Sequence, residues 1–205
     1  MTFENPVMDP MKALWLGTNV PAKYRTFSED KVKISDDAVR EIDSWFEELP
    51  ERQKKKTDGV AEHPDYGQSL FISGDYHVGK TRFMIACVAE ECLKSRKRFR
   101  WTEAVDYLDA QKVLMDIDDG GAPELHTAMQ AIENARTAYF LVLDEVGEER
   151  YSDWVDDSLL RLLRGRFKNG RPTVIITQLD KPEWLSIYSR PLTAFVEKNC
   201  RRIAL

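Results

Sequence analysis

The chain has 205 residues, of which 42% are hydrophobic and 32% charged, with a net charge of −5. This composition is ordinary for a soluble globular protein, and the length suits one substantial core. The acidic balance excludes a global field that draws the chain to nucleic acid or anionic membranes. No apolar run approaches about 18 residues and the N-terminus lacks a signal-peptide core, so we expect a cytoplasmic protein with no membrane partner.

The pattern along the chain predicts an N-terminal extension over residues 1–66 and a core domain over 67–205. In the extension we expect an irregular start, one amphipathic helix over 38–49 and a mobile, lysine-rich connection over 51–66. The core alternates strands with helices, which predicts a single α/β domain with three layers. The predicted strands cover 70–73, 99–102, 139–143, 172–177 and 202–205, and the longer helices cover 80–96, 103–115, 124–136 and 153–167.

Residues 74–81 follow the pattern G-x-x-x-x-G-K-T between an apolar strand and a helix, which is typical of a phosphate-binding loop. Glycines let the backbone turn tightly, so that successive N–H groups and the helix N-terminus face an anion. Lys80 would reach the β- and γ-phosphates, and the Thr81 hydroxyl would hold Mg²⁺. We therefore predict that ATP and Mg²⁺ are bound by Gly74, Asp75, Tyr76, His77, Val78, Gly79, Lys80, Thr81 and Arg82.

His77 stands where many such loops have another glycine. Histidine tolerates left-handed backbone better than most residues do, so we expect the loop to keep its turn.

The second signal is an apolar run, Tyr139 to Leu143, that ends in Asp144 and Glu145. Such a run suits a strand buried on both faces of a parallel sheet, and ligands of α/β sheets bind at the carboxyl ends of the strands. We expect Asp144 to hold Mg²⁺ through water and Glu145 to orient or deprotonate the attacking water.

The order of these motifs resembles the AAA+ domain of DnaC/DnaI-type helicase loaders and of the related IstB-type transposition ATPases. The resemblance runs from about Val20 to Leu205, through the phosphate loop, the run Leu-Asp-Glu-Val-Gly, and the run Gly-Arg-Pro-Thr-Val-Ile-Ile-Thr that follows a helix with Arg166 near its end. It implies a five-stranded parallel sheet, with a lid domain absent or minimal. It also implies ATP-dependent assembly on DNA or on a ring helicase.

Three positions depart from the family pattern. The family usually places Asn, which senses the γ-phosphate, where this chain has Gln178. Arg190 matches the first family arginine, but Ala194 stands at the position of the arginine finger, and we expect no later sensor arginine. We name Glu145, Lys80, Gln178 and Arg190 as the catalytic set, and expect slow ATP hydrolysis in isolation or dependence on a partner.

Two basic clusters, Lys94–Arg100 and Arg161–Arg171, suit either a solvated face or contact with single-stranded DNA, with Phe99, Trp101 or Phe167 available for stacking. Arg166 suits a structural or a subunit-facing role. Trp45, Trp154 and Trp184 lie on helical apolar faces and are expected in the core.

Together these features predict an accessory ATPase of DNA replication that loads a replicative ring helicase. Its further partners would be single-stranded DNA, bound weakly, and other copies of the chain in the ATP state. The alternatives are an IstB-type ATPase that recruits a transposase to DNA, and a nucleotide-switch protein with little ATPase activity.

Overall fold

The computed structural model describes residues 14–15, 17–25, 34–57, 69–115 and 122–205. A short 3₁₀ helix spans Ala22–Tyr24. The α-helices are α1 Asp36–Thr57, α2 Lys80–Ser95, α3 Ala104–Met115, α4 Ala122–Thr137, α5 Asp153–Lys168, α6 Lys181–Ile187 and α7 Arg190–Asn199. The strands are β1 Ser69–Ser73, β2 Phe99–Glu103, β3 Phe140–Val146, β4 Thr173–Thr177 and β5 Cys200–Ala204.

All five strands form one parallel sheet in the order β2-β3-β4-β1-β5, which confirms the predicted α/β fold. In this order β1, which leads into the phosphate loop, lies beside β4, and β4 lies beside β3, which carries the acidic pair. Because the strands are parallel, their carboxyl ends meet at one edge of the sheet. The order therefore brings two motifs that are 63 residues apart to the same edge.

Helices cover both faces of the sheet, as the near-continuous apolar strands require. On one face, α1, α2 and the segment near Val20 pack against the even-numbered residues of β1 and β4. On the other face, α3 to α7 pack against Phe71, Leu141 and Ile175. Trp45 and Trp184 are fully buried in these two cores, and Trp154 packs partly buried against the second one.

Helix α1 is longer than predicted and belongs to the sheet's own core. It runs to Thr57, through the first part of the expected mobile connection, while residues 58–66 lie outside the described residues. The Trp45 ring lies 6.3 Å from that of Phe140, and Arg201 on β5 donates two 2.9 Å hydrogen bonds to the Glu48 carboxylate. The domain boundary at residue 66 stays a prediction, but α1 is packed as part of the α/β core.

Arg166 is a structural residue, so the subunit-facing alternative considered for it was wrong. Its side chain is 1% exposed, and burial lowers the pKa of its guanidinium to about 9. The guanidinium joins the end of α4, the start of β3 and the start of β4, because its fork of donors suits carbonyls that converge from several directions. It donates to the hydroxyl of Thr173 and to the carbonyl oxygens of Ala135, Arg136, Ala138, Tyr139 and Pro172, at 2.7 to 3.4 Å.

Among the described residues, no helix is long and apolar enough to cross a membrane.

Candidate functional site

The phosphate loop has the predicted strand–turn–helix geometry. Gly74, Gly79 and His77 all have left-handed or otherwise positive φ values of 151°, 95° and 63°. A Cβ on Gly74 would lie 2.1 Å from the carbonyl oxygen of Leu205, so only glycine fits beside β5. The non-glycine His77 takes the left-handed backbone that was expected at this position.

Lys80 is the first residue of α2, and its side chain turns back into this loop. Its Nζ donates to the carbonyl oxygens of Gly74 at 2.5 Å and of Asp75 at 2.7 Å. The residue is only 7% exposed, and burial lowers the pKa of its ammonium. Neutral carbonyls offset the desolvation of a charge only in part, so an anion within the loop would stabilise this side chain.

Thr81 and Asp144, the two predicted Mg²⁺ ligands, are in direct contact. The Asp144 Oδ1 accepts hydrogen bonds from the Thr81 hydroxyl and from the Glu145 backbone N–H, both at 3.0 Å. Its Oδ2 accepts from the Trp101 indole at 3.1 Å. Burial of Asp144, which is 1% exposed, raises the pKa of its carboxyl, and these three donors counteract part of that rise.

Trp101 was missed as a site residue and was wrongly offered as a stacking platform for DNA. It is 5% exposed, and Phe99, the other aromatic residue of β2 offered for stacking, is 2% exposed. Instead, the Trp101 indole N–H on β2 donates to Asp144 on the neighbouring strand β3. A tryptophan on a predicted strand gives no local signal of this role, because the contact depends on β2 lying beside β3.

Glu145 lies inside β3, whereas the sequence had predicted that the strand ends before the acids. Its φ is 54°, and the pairing of β3 with β4 shifts between Leu143 and Val146. This irregularity is a β-bulge, which bends a strand and re-aims its side chains, often beside active sites. A non-glycine residue in this conformation is strained, and such strain is concentrated at functional sites.

Gln178, which follows β4, also lines the site. Its Oε1 is buried and has no hydrogen-bond partner among the described residues. Leaving a buried amide oxygen without a hydrogen bond costs free energy. This oxygen is therefore free to accept one from a bound water or ligand, which would remove that cost. Arg190, the fourth residue of the predicted catalytic set, lies exposed at the start of α7 and does not line the pocket.

The pocket at this edge has a volume of about 560 Å³. Of the residues predicted to bind ATP, Tyr76, His77 and Gly79 to Arg82 line this pocket. The other three, Gly74, Asp75 and Val78, belong to the loop but do not line the pocket. Lys23 and Tyr24 also line it and were missed, because residues 1–35 were expected to be irregular. The Tyr24 ring lies 4.7 Å from Lys23 Nζ and 5.9 Å from the Arg82 guanidinium carbon.

The residues present fit ATP with Mg²⁺. Within the described part of the chain, no group of three or more His, Cys, Asp or Glu side chains could hold a metal ion alone. A hydroxyl beside one carboxylate suits Mg²⁺, because this ion binds through one or two protein oxygens together with substrate phosphates and water. The 560 Å³ pocket is within the range of small-molecule sites.

Neither the protein-family models nor the curated proteins contain a match to this sequence. Solved structures do match. The DnaC helicase loader superposes with a TM-score of 0.67 at 19% identity, over 90% of this chain and 99% of that one. DnaI superposes with a TM-score of 0.61 at 17% identity, over 91% and 95%.

The replication initiator DnaA, solved with AMPPCP and single-stranded DNA, superposes with a TM-score of 0.59 at 18% identity, over 91% of this chain and 51% of that one. At such identities the likeness concerns the fold alone. The chain therefore shares the α/β fold of the DnaC helicase loader and of DnaI, which confirms, at the level of the fold, the resemblance seen in its sequence.

Proposed function

We propose that this chain is an ATP-binding accessory ATPase of DNA replication that engages a replicative ring helicase. The observation that carries the proposal is the meeting of Lys80, Thr81, Asp144 and Glu145 at one edge of the sheet, in one pocket. The fold shared with the DnaC helicase loader and DnaI supports the assignment to replication.

In this proposal the phosphates lie in the loop of residues 74–79, against its backbone N–H groups and the N-terminus of α2. Lys80 turns from the carbonyls of its own loop to the β- and γ-phosphates. Thr81 and Asp144 would hold Mg²⁺, which would neutralise charge on the phosphates. Tyr24 and Arg82 line the same pocket and would lie beside the base and ribose.

Hydrolysis then depends on Glu145 and Gln178. Glu145 takes a proton from the attacking water, and the Gln178 amide holds the γ-phosphate or that water in place. Beyond Lys80, the cations that line the described pocket are Lys23 and Arg82, which both lie near the Tyr24 ring. Neither is an arginine at the family's finger position, where this chain has Ala194. We therefore expect slow turnover by the isolated chain, with an arginine finger supplied by a partner.

The experiment that tests the proposal uses Glu145→Gln, which should bind ATP without hydrolysing it. The purified variant, immobilised with ATP and Mg²⁺, is exposed to lysate of its own cell and to the purified ring helicase of that cell. The double variant Lys80→Ala/Glu145→Gln is the matched control, because it should not hold ATP. Helicase retained by Glu145→Gln and not by the control supports helicase engagement.

Three other outcomes decide against it. A transposase retained in place of the helicase would establish the IstB-type alternative. If ATP with Mg²⁺ shifts the thermal midpoint but neither partner is retained, the nucleotide-switch alternative is left. If ATP causes no shift, the assignment of the pocket itself is wrong.

A further inference from the structure

The two basic clusters of the sequence meet at one edge of the sheet, opposite the proposed nucleotide pocket. One cluster lies in the turn before β2, and the other at the end of α5 and in the turn before β4. Strands β2, β3 and β4 are adjacent and parallel, so the turns that precede them lie side by side. At strand spacings of about 4.8 Å, the first and third turns are roughly 10 Å apart.

Contacts across this edge join the two clusters. Lys97 Nζ lies 5.2 Å from the Tyr139 ring, and the backbone N–H of Phe140 donates to the carbonyl of Arg98. The Arg171 guanidinium donates to the carbonyl of Arg136 at 2.9 Å, at the end of α4. We call this surface the basic edge and define it by Arg96, Lys97, Arg98, Lys168 and Arg171.

Among the described residues, no carboxylate pairs with the basic edge. The turns 96–98, 137–139 and 169–172 contain no Asp or Glu. None of the five cations has a salt bridge to a described residue, and all but Arg171 are exposed. Directly below lies the Arg166 guanidinium, whose partners are neutral and which keeps its charge at neutral pH. The described part of this edge is therefore positively charged, on a chain with a net charge of −5.

Helix dipoles explain only part of this arrangement. Cations in the last turn of a helix stabilise its negative end, which accounts for Lys168 in α5. Arg98 and Arg171 lie beyond the helices, in turns that lead into strands, where the dipole has fallen off.

We propose that the basic edge binds the phosphate backbone of nucleic acid, without regard to base sequence and without preference for single strands. The two aromatic residues at this edge, Tyr139 and Phe167, are only partly exposed and are packed against Phe140 and Phe195. They are therefore poorly placed to stack on unpaired bases, and contacts to phosphate remain. This proposal goes beyond the proposed function and does not rest on it, because no residue of the pocket takes part.

The test measures fluorescence anisotropy of labelled single-stranded and duplex oligonucleotides of random sequence, without ATP, over a series of salt concentrations. The wild-type chain is compared with Lys97→Gln/Arg98→Gln/Lys168→Gln. The control variant, Lys112→Gln/Arg161→Gln/Lys181→Gln, removes the same charge from exposed residues paired with Asp109, Asp157 and Glu197. Circular dichroism and thermal midpoints check that both variants are folded.

The triple variant of the basic edge should lose roughly 10- to 100-fold in affinity at about 0.1 M salt, and its salt slope should fall by about 2 to 3, because each phosphate contact contributes nearly one unit. The control should keep the wild-type slope. Single variants Lys97→Gln and Lys168→Gln should each lower the slope by about one.

Equal losses in both triple variants would overturn the proposal, since net charge alone would then explain binding. It also fails if the wild-type chain does not bind DNA, or if it binds anionic vesicles or polyglutamate as tightly as DNA. If single strands bind far more tightly than duplex, bases stack on the protein, and the proposed binding through phosphates alone is wrong.

Discussion

Replacement of Arg166 by alanine should destabilise the fold rather than weaken an interface. The guanidinium is buried and donates to one hydroxyl and five carbonyl oxygens. Leaving one buried polar group unpaired costs about 1 to 3 kcal/mol. Because water would enter the space and satisfy part of the set, we expect a total loss of roughly 3 to 5 kcal/mol, similar to the breaking of other buried charged networks.

That loss is a large part of the roughly 5 to 15 kcal/mol that stabilises a typical domain. For a chain of this size it corresponds to a fall in thermal midpoint of roughly 6 to 20 °C. Urea unfolding followed by circular dichroism measures it directly. Arg166→Lys should recover only part of the loss, since one ammonium cannot reproduce the planar fork.

The matched control is Arg164→Ala, an exposed arginine two residues earlier in the same helix. We expect it to change the stability by no more than about 0.5 kcal/mol. Should Arg166→Ala be as stable as Arg164→Ala and yet fail to associate with a partner, the structural role argued here would be refuted and an interface role restored.

Three further predictions concern the pocket and its surroundings. Lys80→Ala should abolish the rise in thermal midpoint that ATP and Mg²⁺ produce, while leaving the fold without ligand nearly unchanged; differential scanning fluorimetry would show it, and an unaltered ATP affinity would contradict it. Asp144→Asn should weaken Mg²⁺-dependent binding, whereas Glu145→Gln should keep binding and stop phosphate release, and equal loss of binding in both would assign Glu145 a structural role. Gly147→Ala should lower the unfolding free energy by about 1 to 3 kcal/mol, because its φ is 109° and a Cβ would lie 2.7 Å from Leu179. Gly165→Ala, in a helix with open space around it, should be neutral or slightly stabilising, and similar losses in both glycine variants would count against the strain argument.

The features that sequence predicted well are those carried by a continuous run of residues. The phosphate loop is one such run, since its glycines, its lysine and the start of the helix after it all lie within residues 74–81. Strand β3 is another, because five apolar residues in succession favour a strand buried on both faces of a parallel sheet. Both motifs also lie at strand ends, and a parallel sheet brings such ends together whatever the length of the connections.

The features that sequence missed depend on which strands are neighbours. Trp101 holds Asp144 across 43 residues, and Arg166 reaches carbonyls about 30 residues earlier in the chain. An arginine near the end of an amphipathic helix normally lies in solvent, so its burial has no local signal. Lys23 and Tyr24 reach the pocket only because the segment near Val20 packs into the core of the α1 and α2 face.

The charges of the pocket show why its parts belong together. Burial disfavours the charged form of Lys80 and the charged form of Asp144, so the pKa of the first is lowered and that of the second is raised. Their hydrogen-bond partners in the chain are neutral carbonyls, a hydroxyl and N–H groups, and the attraction of Lys80 to Asp144 and Asp75 counteracts only part of the effect of burial on its pKa. A phosphate anion beside Lys80 and a divalent cation beside Asp144 would each restore the charged form that burial opposes. Because Thr81 contacts Asp144 and follows Lys80 directly, the two ligands would also neutralise one another, and a nucleotide with its metal ion suits the site better than either alone.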